Sequence, residues 1–178
     1  MSIKSITEEQ ILSVLSAARK HSERDYVAIL VTYMHGLRAT ETCSLTTNNF
    51  ADGFITVARL KGSLKTTHPL FSHANPLLDE RTAVTDYLKT LHKGQRLCPM
   101  TRQHFHRLFK TYCAEAGVPA HCSFPHVCKH ARATHLVGKI QINELQQFLG
   151  HASLSSTGAY VRTTDQQACN AVAIAMGA

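Results

Sequence analysis

No apolar run in this sequence approaches the roughly 18 residues that a membrane-crossing helix needs, and an apolar content of 44% is that of a globular protein. The chain also lacks any stretch rich enough in Pro, Gly or Ser to act as a linker, so its 178 residues are expected to form a single domain around one core. The first residues, MSIKSITEEQ, contain neither a basic stretch followed by an apolar core nor a small-residue cleavage site. No secretory signal is read there, and the expected compartment is the cytoplasm. The six cysteines include no CxxC pair and no disulfide-like spacing, so Cys43, Cys98, Cys113, Cys122, Cys128 and Cys169 are expected to be free, mostly buried thiols. Acidic side chains are few: 12 stand against 19 Lys and Arg, a net charge of +7, and 12 histidines can add to it where phosphates raise their pKa. A polyanionic partner is in view, but many basic proteins bind nothing anionic, and charge alone does not decide.

What is present reads mostly as helix. Thr7 and Gln10 form a capping-box pattern ahead of the apolar stripe Ile11, Leu12, Val14, Leu15 and Ala18, which predicts a helix over 7–20. Tyr26, Ile29, Leu30, Tyr33 and Met34 predict a second over 23–35, ended by Gly36. A short helix is expected over 39–45, and the polar run after it favours a turn. The β-branched and aromatic segment Phe54–Leu60, the turn Lys61–Leu64 and the extended KTTHPLF form a candidate β-hairpin. Further helices are expected over 76–92, 101–116 (capped by Thr101), 125–138, 142–149 (opened near Asn143) and from Thr164 onward. The fold class is therefore mainly α with a small antiparallel β-sheet.

Four separated segments carry the candidate chemistry: HGLRATE with Arg38 and Glu41, RLKGSLKTTHPL with Lys61, PHVCKHARATHL with His126 and Lys129, and LGHASLSSTGAY with His151 and Tyr160. Together they resemble the tyrosine recombinases of the phage-integrase family. The usual forms there are TGLR-x-x-E, a lysine in a β-hairpin, H-x-x-R-H-x-x-A-T-H, and LGH followed nine residues on by a tyrosine. Here Tyr160 stands nine residues after His151, and all four segments occur in the family's order.

The resemblance implies the tyrosine-recombinase catalytic-domain fold, a single catalytic domain over 1–178, and no metal or other cofactor. It further implies double-stranded DNA with inverted-repeat half-sites as partner, and self-association into dimers and tetramers on that DNA. The helix over about 164–176 would pack on a neighbouring protomer. Tyr160 would attack a phosphodiester to give a 3′-phosphotyrosine link that conserves bond energy for rejoining. Arg38 would grip the phosphate with its planar fork, and Lys61 would protonate the departing 5′ oxygen. His126 and His151 would donate to the phosphate or help take the tyrosine proton. Glu41, one turn from Arg38, would orient it. Arg59 and Lys65 are expected to contact DNA, and Arg132 has a structural or DNA-backbone role.

Lys129 departs from the pattern by standing where the family's second arginine does, which keeps the charge but exchanges a two-pronged guanidinium for a point donor. Loss of one donor at such a site can cost on the order of 100-fold to 1,000-fold in rate. The alternative to an active recombinase is accordingly a catalytically weak DNA-binding relative acting as a regulator. The strings HGLRATETCSL and RLKGSLKTTHPL look most like the short recombinases that invert fimbrial promoter segments. The family usually carries an N-terminal helical domain; none precedes residue 1, so the sequence is read as a short natural member, with an excised fragment as the other option.

Each residue also has a plainer reading. Arg38 after a helix end could cap carbonyls, Lys61 and Lys65 could be solvated hairpin charges, and a tyrosine a few turns from a histidine is commonly a packed, hydrogen-bonded side chain. The interleaved Cys122, His126, Cys128, His130 and His135 lack the paired spacing of zinc modules, which makes a metal site the weaker reading. Only the joint order of the four segments outweighs these alternatives.

Overall fold

The computed structural model describes residues 5–60 and 65–151. Over these residues the chain runs through helices α1 (Glu8–His21), α2 (Glu23–Met34) and α3 (Ala39–Ser44), then strands β1 (Phe50–Ala51), β2 (Phe54–Val57) and β3 (Thr66–Pro69). Helices α4 (Glu80–Leu88), α5 (Arg102–Glu115), α6 (His126–Leu136) and α7 (Ile142–Leu149) follow. The expected helix from Thr164 lies outside the described residues.

α1 starts as its sequence dictates. Thr7 Oγ1 accepts from the Gln10 amide at 3.1 Å, and Gln10 Oε1 accepts from the Thr7 amide at 3.0 Å, closing the capping box. α2 is the central element, with every side chain from Asp25 to Met34 buried against α1, α4 and α6. A helix apolar nearly all round can only sit inside a layer of others. Its buried acid, Asp25, receives the Tyr112 hydroxyl at 2.7 Å and Arg24 Nε at 2.7 Å, so the carboxylate enters the core with its charge answered. From α5, Phe105 and Phe109 complete that core.

The sheet is antiparallel in the order β1-β2-β3, with Ile55 opposite His68 and Val57 opposite Thr66. Its first strand was not expected. Asp52 and Gly53, both at positive φ (52° and 78°), form the two-residue connection between β1 and β2, an Asp-Gly hairpin signal that the polar run ahead of it obscured. Helix α4 is shorter than the expected 76–92. Asn75 Oδ1 accepts from the Leu77 amide and Asn75 O from the Leu78 amide, which commits the residues ahead of α4 to a turn. The five described cysteines are free and buried; Cys169 lies outside the described residues. None of the described helices is long and apolar enough to cross a membrane.

Candidate active site

Arg38 is delivered by the way α2 ends. Gly36 takes a left-handed φ of 57°, and a Cβ there would lie 2.7 Å from Leu149 Cδ2, so both the turn and the approach of α7 require glycine. Two residues on, Arg38 precedes α3, and Glu41 in its first turn is 1% exposed. The Glu41 carboxylate accepts from the Arg38 amide (2.8 Å), Arg38 Nη1 (2.8 Å) and the Leu60 amide (3.0 Å). Burial alone would raise this carboxyl, but those hydrogen bonds outweigh it and hold the pKa below its ordinary value. Glu41 is thus a fixed anion that orients the Arg38 guanidinium, which also donates to Leu60 O at 3.1 Å and so bridges α3 to the chain leaving β2.

α6 and the end of α7 supply the next groups. Lys129 is 2% exposed, and its ammonium donates to Leu149 O at 3.1 Å. Burial first, then the positive Arg59 and Arg38, push its pKa down to about 7. His151 follows α7 through Gly150, whose φ of 65° ends the helix. His151 is buried, its amide donating to Gln146 O and its carbonyl accepting from Gln146 Nε2, each at 3.0 Å. Its pKa falls to about 4 through burial and the nearby Lys129, Arg38 and Arg59. His126 opens α6 with part of its surface exposed, its ring standing edge-on to His130 at 4.6 Å. Loss of water around the packed part of that ring, followed by the charges of its neighbours, lowers its pKa to about 4. The two imidazoles are therefore neutral at pH 7, each able to donate one hydrogen bond and accept another, beside Arg38 and a half-protonated Lys129 whose charge an incoming anion would favour.

Arg59 corrects an expectation. The sequence predicts a DNA contact at this position, but the side chain is fully buried. Its Nε donates to Thr66 Oγ1 (2.9 Å), Nη1 to Gly36 O (3.3 Å) and Glu41 Oε2 (3.4 Å), and Nη2 to His35 O (2.9 Å) and Phe148 O (3.3 Å). A guanidinium has five N–H donors, and five acceptors inside the protein take them. Arg59 ties the Arg38 turn, β3 and the end of α7 together, and with Lys129 it holds the C-terminal carbonyls of α7, where the helix dipole favours cations. Lys65 is exposed at the start of β3. The Arg132 guanidinium packs between the rings of Tyr33 (5.4 Å) and Phe148 (5.8 Å), a structural position. Lys61 and Tyr160, the expected general acid and nucleophile, lie outside the described residues.

The structure also adds residues that the sequence reading did not single out. A groove of about 830 Å³ opens beside Arg38 and His126, and its far wall is Arg102, Gln103, His106 and Arg107 of α5. These four share one exposed helix face, while Phe105, Phe109 and Tyr112 point the other way into the core. The signal was in the sequence as an amphipathic helix whose polar face is basic, but only the fold sets that face next to Arg38.

The sequence pattern of the phage integrase family matches residues 4–167. The tyrosine recombinase XerA of Pyrococcus furiosus is 34% identical over 176 residues, covering 95% of this chain and 60% of that protein. XerD of Vibrio cholerae is 32% identical over 182 residues, covering 92% of this chain and 58% of its own. Among solved structures, XerA recombinase superposes with a TM-score of 0.75 at 21% identity, over 96% of this chain and 64% of that one. The XerH site-specific recombinase bound to its difH substrate superposes with a TM-score of 0.74 at 17% identity, over 98% and 56%. The helices and small antiparallel sheet thus form the tyrosine-recombinase catalytic-domain fold. The chain belongs to the phage integrase family. It spans about three fifths of the length of the curated relatives it matches.

Proposed function

We propose that this chain is the catalytic domain of a site-specific DNA recombinase, which cuts and rejoins strands through a 3′-phosphotyrosine intermediate without a metal. The observation that carries the reading is the convergence of Arg38, Lys129 and two neutral imidazoles, His126 and His151, close enough to shift one another's proton affinity, with Arg38 and His126 opening onto a basic groove. Such a set matches a phosphodiester in flight: cations for the non-bridging oxygens and neutral rings for proton traffic. Tyr160 Oη gives up its proton to His126 or His151 and attacks phosphorus in line, the bond to the 5′ oxygen breaks, and Lys61 supplies the proton that oxygen needs. The groove wall of Arg102, Gln103, His106 and Arg107 takes the duplex beside the cut.

Relatives support the DNA partner. XerH is seen bound to its difH substrate, and lambda integrase as a dimer on a core site and a tetramer on a Holliday junction. By that likeness this chain assembles as dimers and tetramers on double-stranded DNA in the cytoplasm. A two-fold dimer reads inverted-repeat half-sites. HGLRATETCSL and RLKGSLKTTHPL favour DNA inversion of the fimbrial-switch kind as the biological outcome. The test is a duplex nicked near the cleavage position, on which an active enzyme accumulates a covalent adduct. The adduct should form with the unaltered protein and vanish in Tyr160→Phe, which removes only a hydroxyl, while DNA binding survives. Adducts persisting in Tyr160→Phe refute the nucleophile.

A further inference from the structure

Behind the Arg38 turn lies a buried polar cluster that none of the steps above uses. His35, 0% exposed, stands where the family pattern has threonine; His68 on β3 is 7% exposed and Glu80 at the start of α4 is 0% exposed. His35 Nδ1 is 3.0 Å from His68 Nδ1, and His35 Nε2 is 2.7 Å from Glu80 Oε1. The other carboxylate oxygen, Glu80 Oε2, accepts from the Phe71 amide at 3.1 Å. Two ring nitrogens this close need one proton between them, and with its own proton on Nε2 His35 donates a hydrogen bond to the Glu80 carboxylate, so every member of the cluster is satisfied in one arrangement. His68 enters it as a neutral ring, because burial, with His35, Arg59 and Arg132 adding to it, pushes its pKa down to about 3.

The cluster touches three segments that carry the chemistry. His35 ends α2 three residues before Arg38, and its carbonyl is held by Arg59. His68 lies on the return strand of the hairpin that bears Lys61. Its ring also stacks on Phe148 at 4.4 Å and 10° between planes, and Phe148 immediately precedes Leu149, whose carbonyl holds Lys129. Gly150 and His151 come next. A displaced His68 would therefore move the end of α7 and, with it, a carbonyl that fixes one cation and a backbone that fixes one imidazole.

We propose that His68 is a positioning residue for strand cleavage: bonded to His35 and stacked on Phe148, it sets the end of α7 and hence the placement of Lys129 and His151. This rests on the cleavage reading above. An ångström of misplacement in such a site can slow reaction by about 100-fold while leaving binding contacts elsewhere intact. The full chain carrying His68→Ala should show ring C–H resonances of His151 displaced from their unaltered positions in the absence of DNA. At saturating nicked duplex its single-turnover cleavage should fall roughly 10-fold to 100-fold, with Kd within about 2-fold of the original. His68→Phe keeps the stack and should recover most of the rate and return the His151 resonances toward their original positions. Should His68→Ala not fold, His35→Thr, which removes the His35 ring with its bonds to His68 and Glu80 but leaves the Phe148 stack, should displace the same resonances with a severalfold slower cut. A purely structural residue gives a lower Tm with His151 resonances and rate constant unchanged, and that result overturns the proposal. If the unaltered protein forms no adduct, the cleavage reading falls, whereas the resonances still decide whether His68 positions His151.

Discussion

If the chain cleaves DNA as proposed, a lysine in place of arginine at position 129 should make DNA affinity depend on pH in a way that arginine would not. In the free protein the Lys129 ammonium is buried, with one neutral carbonyl as acceptor among the described residues, and burial with the charges of Arg59 and Arg38 lowers its pKa to about 7. At pH 8 roughly one molecule in ten then carries the charge, and at pH 9 about one in a hundred. A phosphate that must meet a charged Lys129 first restores the proton, so affinity should fall up to about 10-fold per pH unit above 7 until the pKa of the bound state is reached. His126 and His151, at about 4, are already neutral throughout this window and do not add to the slope in the free protein. The α-amino group also titrates near 8, but it is common to every variant and cancels in comparison. The assay is fluorescence anisotropy of a labelled duplex at fixed ionic strength, from pH 6.5 to 9, in a Tyr160→Phe background to prevent cutting. Tyr160→Phe alone should show the steep decline; adding Lys129→Arg, which stays charged, should flatten it. Parallel profiles for the two would refute the argument, because they would show that the proton is taken up elsewhere or that Lys129 does not meet the phosphate.

The same linkage has a sign for stability. The folded state holds the Lys129 proton less tightly than the unfolded chain does, so this group's contribution is complete above the unfolded value near 10.5 and is lost as pH falls through about 7. Lys129→Met should therefore raise Tm at pH 6 by more than at pH 9, read by thermal melts. At saturating duplex, Lys129→Ala should slow single-turnover cleavage on the order of 100-fold to 1,000-fold, and with no ammonium to meet the phosphate its duplex binding should be weaker and nearly flat with pH; an unaltered rate would make Lys129 a bystander. Gly36→Ala forces a left-handed backbone on alanine and drives its Cβ to 2.7 Å from Leu149, so a loss of about 2 kcal/mol or more is expected in chemical denaturation. Arg107→Ala should weaken duplex binding and reduce the slope of log Kd against log salt by about one; an unchanged slope would remove the α5 face from the DNA path.

Local pattern was enough for much of this. The capping box of Thr7 and Gln10, the glycine stop after α2 and the apolar stripes of α1, α5 and α7 are nearest-neighbour physics, so those elements run within a residue or so of where the sequence puts them. β1 was missed because two residues carry no periodicity, and α4 was overextended because an Asx turn competes with a helix start through a side-chain bond that composition does not reveal. The candidate site divides in the same way. Its residue types and order, from Arg38 through His126 and Lys129 to His151 and Tyr160, are written in the sequence, since reaction chemistry restricts which side chains can serve. Which arginine faces out was decided by tertiary structure alone. Arg59 reads as a surface charge on a hairpin, yet five acceptors from four distant segments take all its donors, while Arg102 and Arg107, in an ordinary amphipathic helix, stand on the groove. Burial also turns the charge of Lys129 into a proton equilibrium near neutrality, because desolvation and the repulsion of two guanidiniums depend on what surrounds the ammonium in space and not on what adjoins it along the chain.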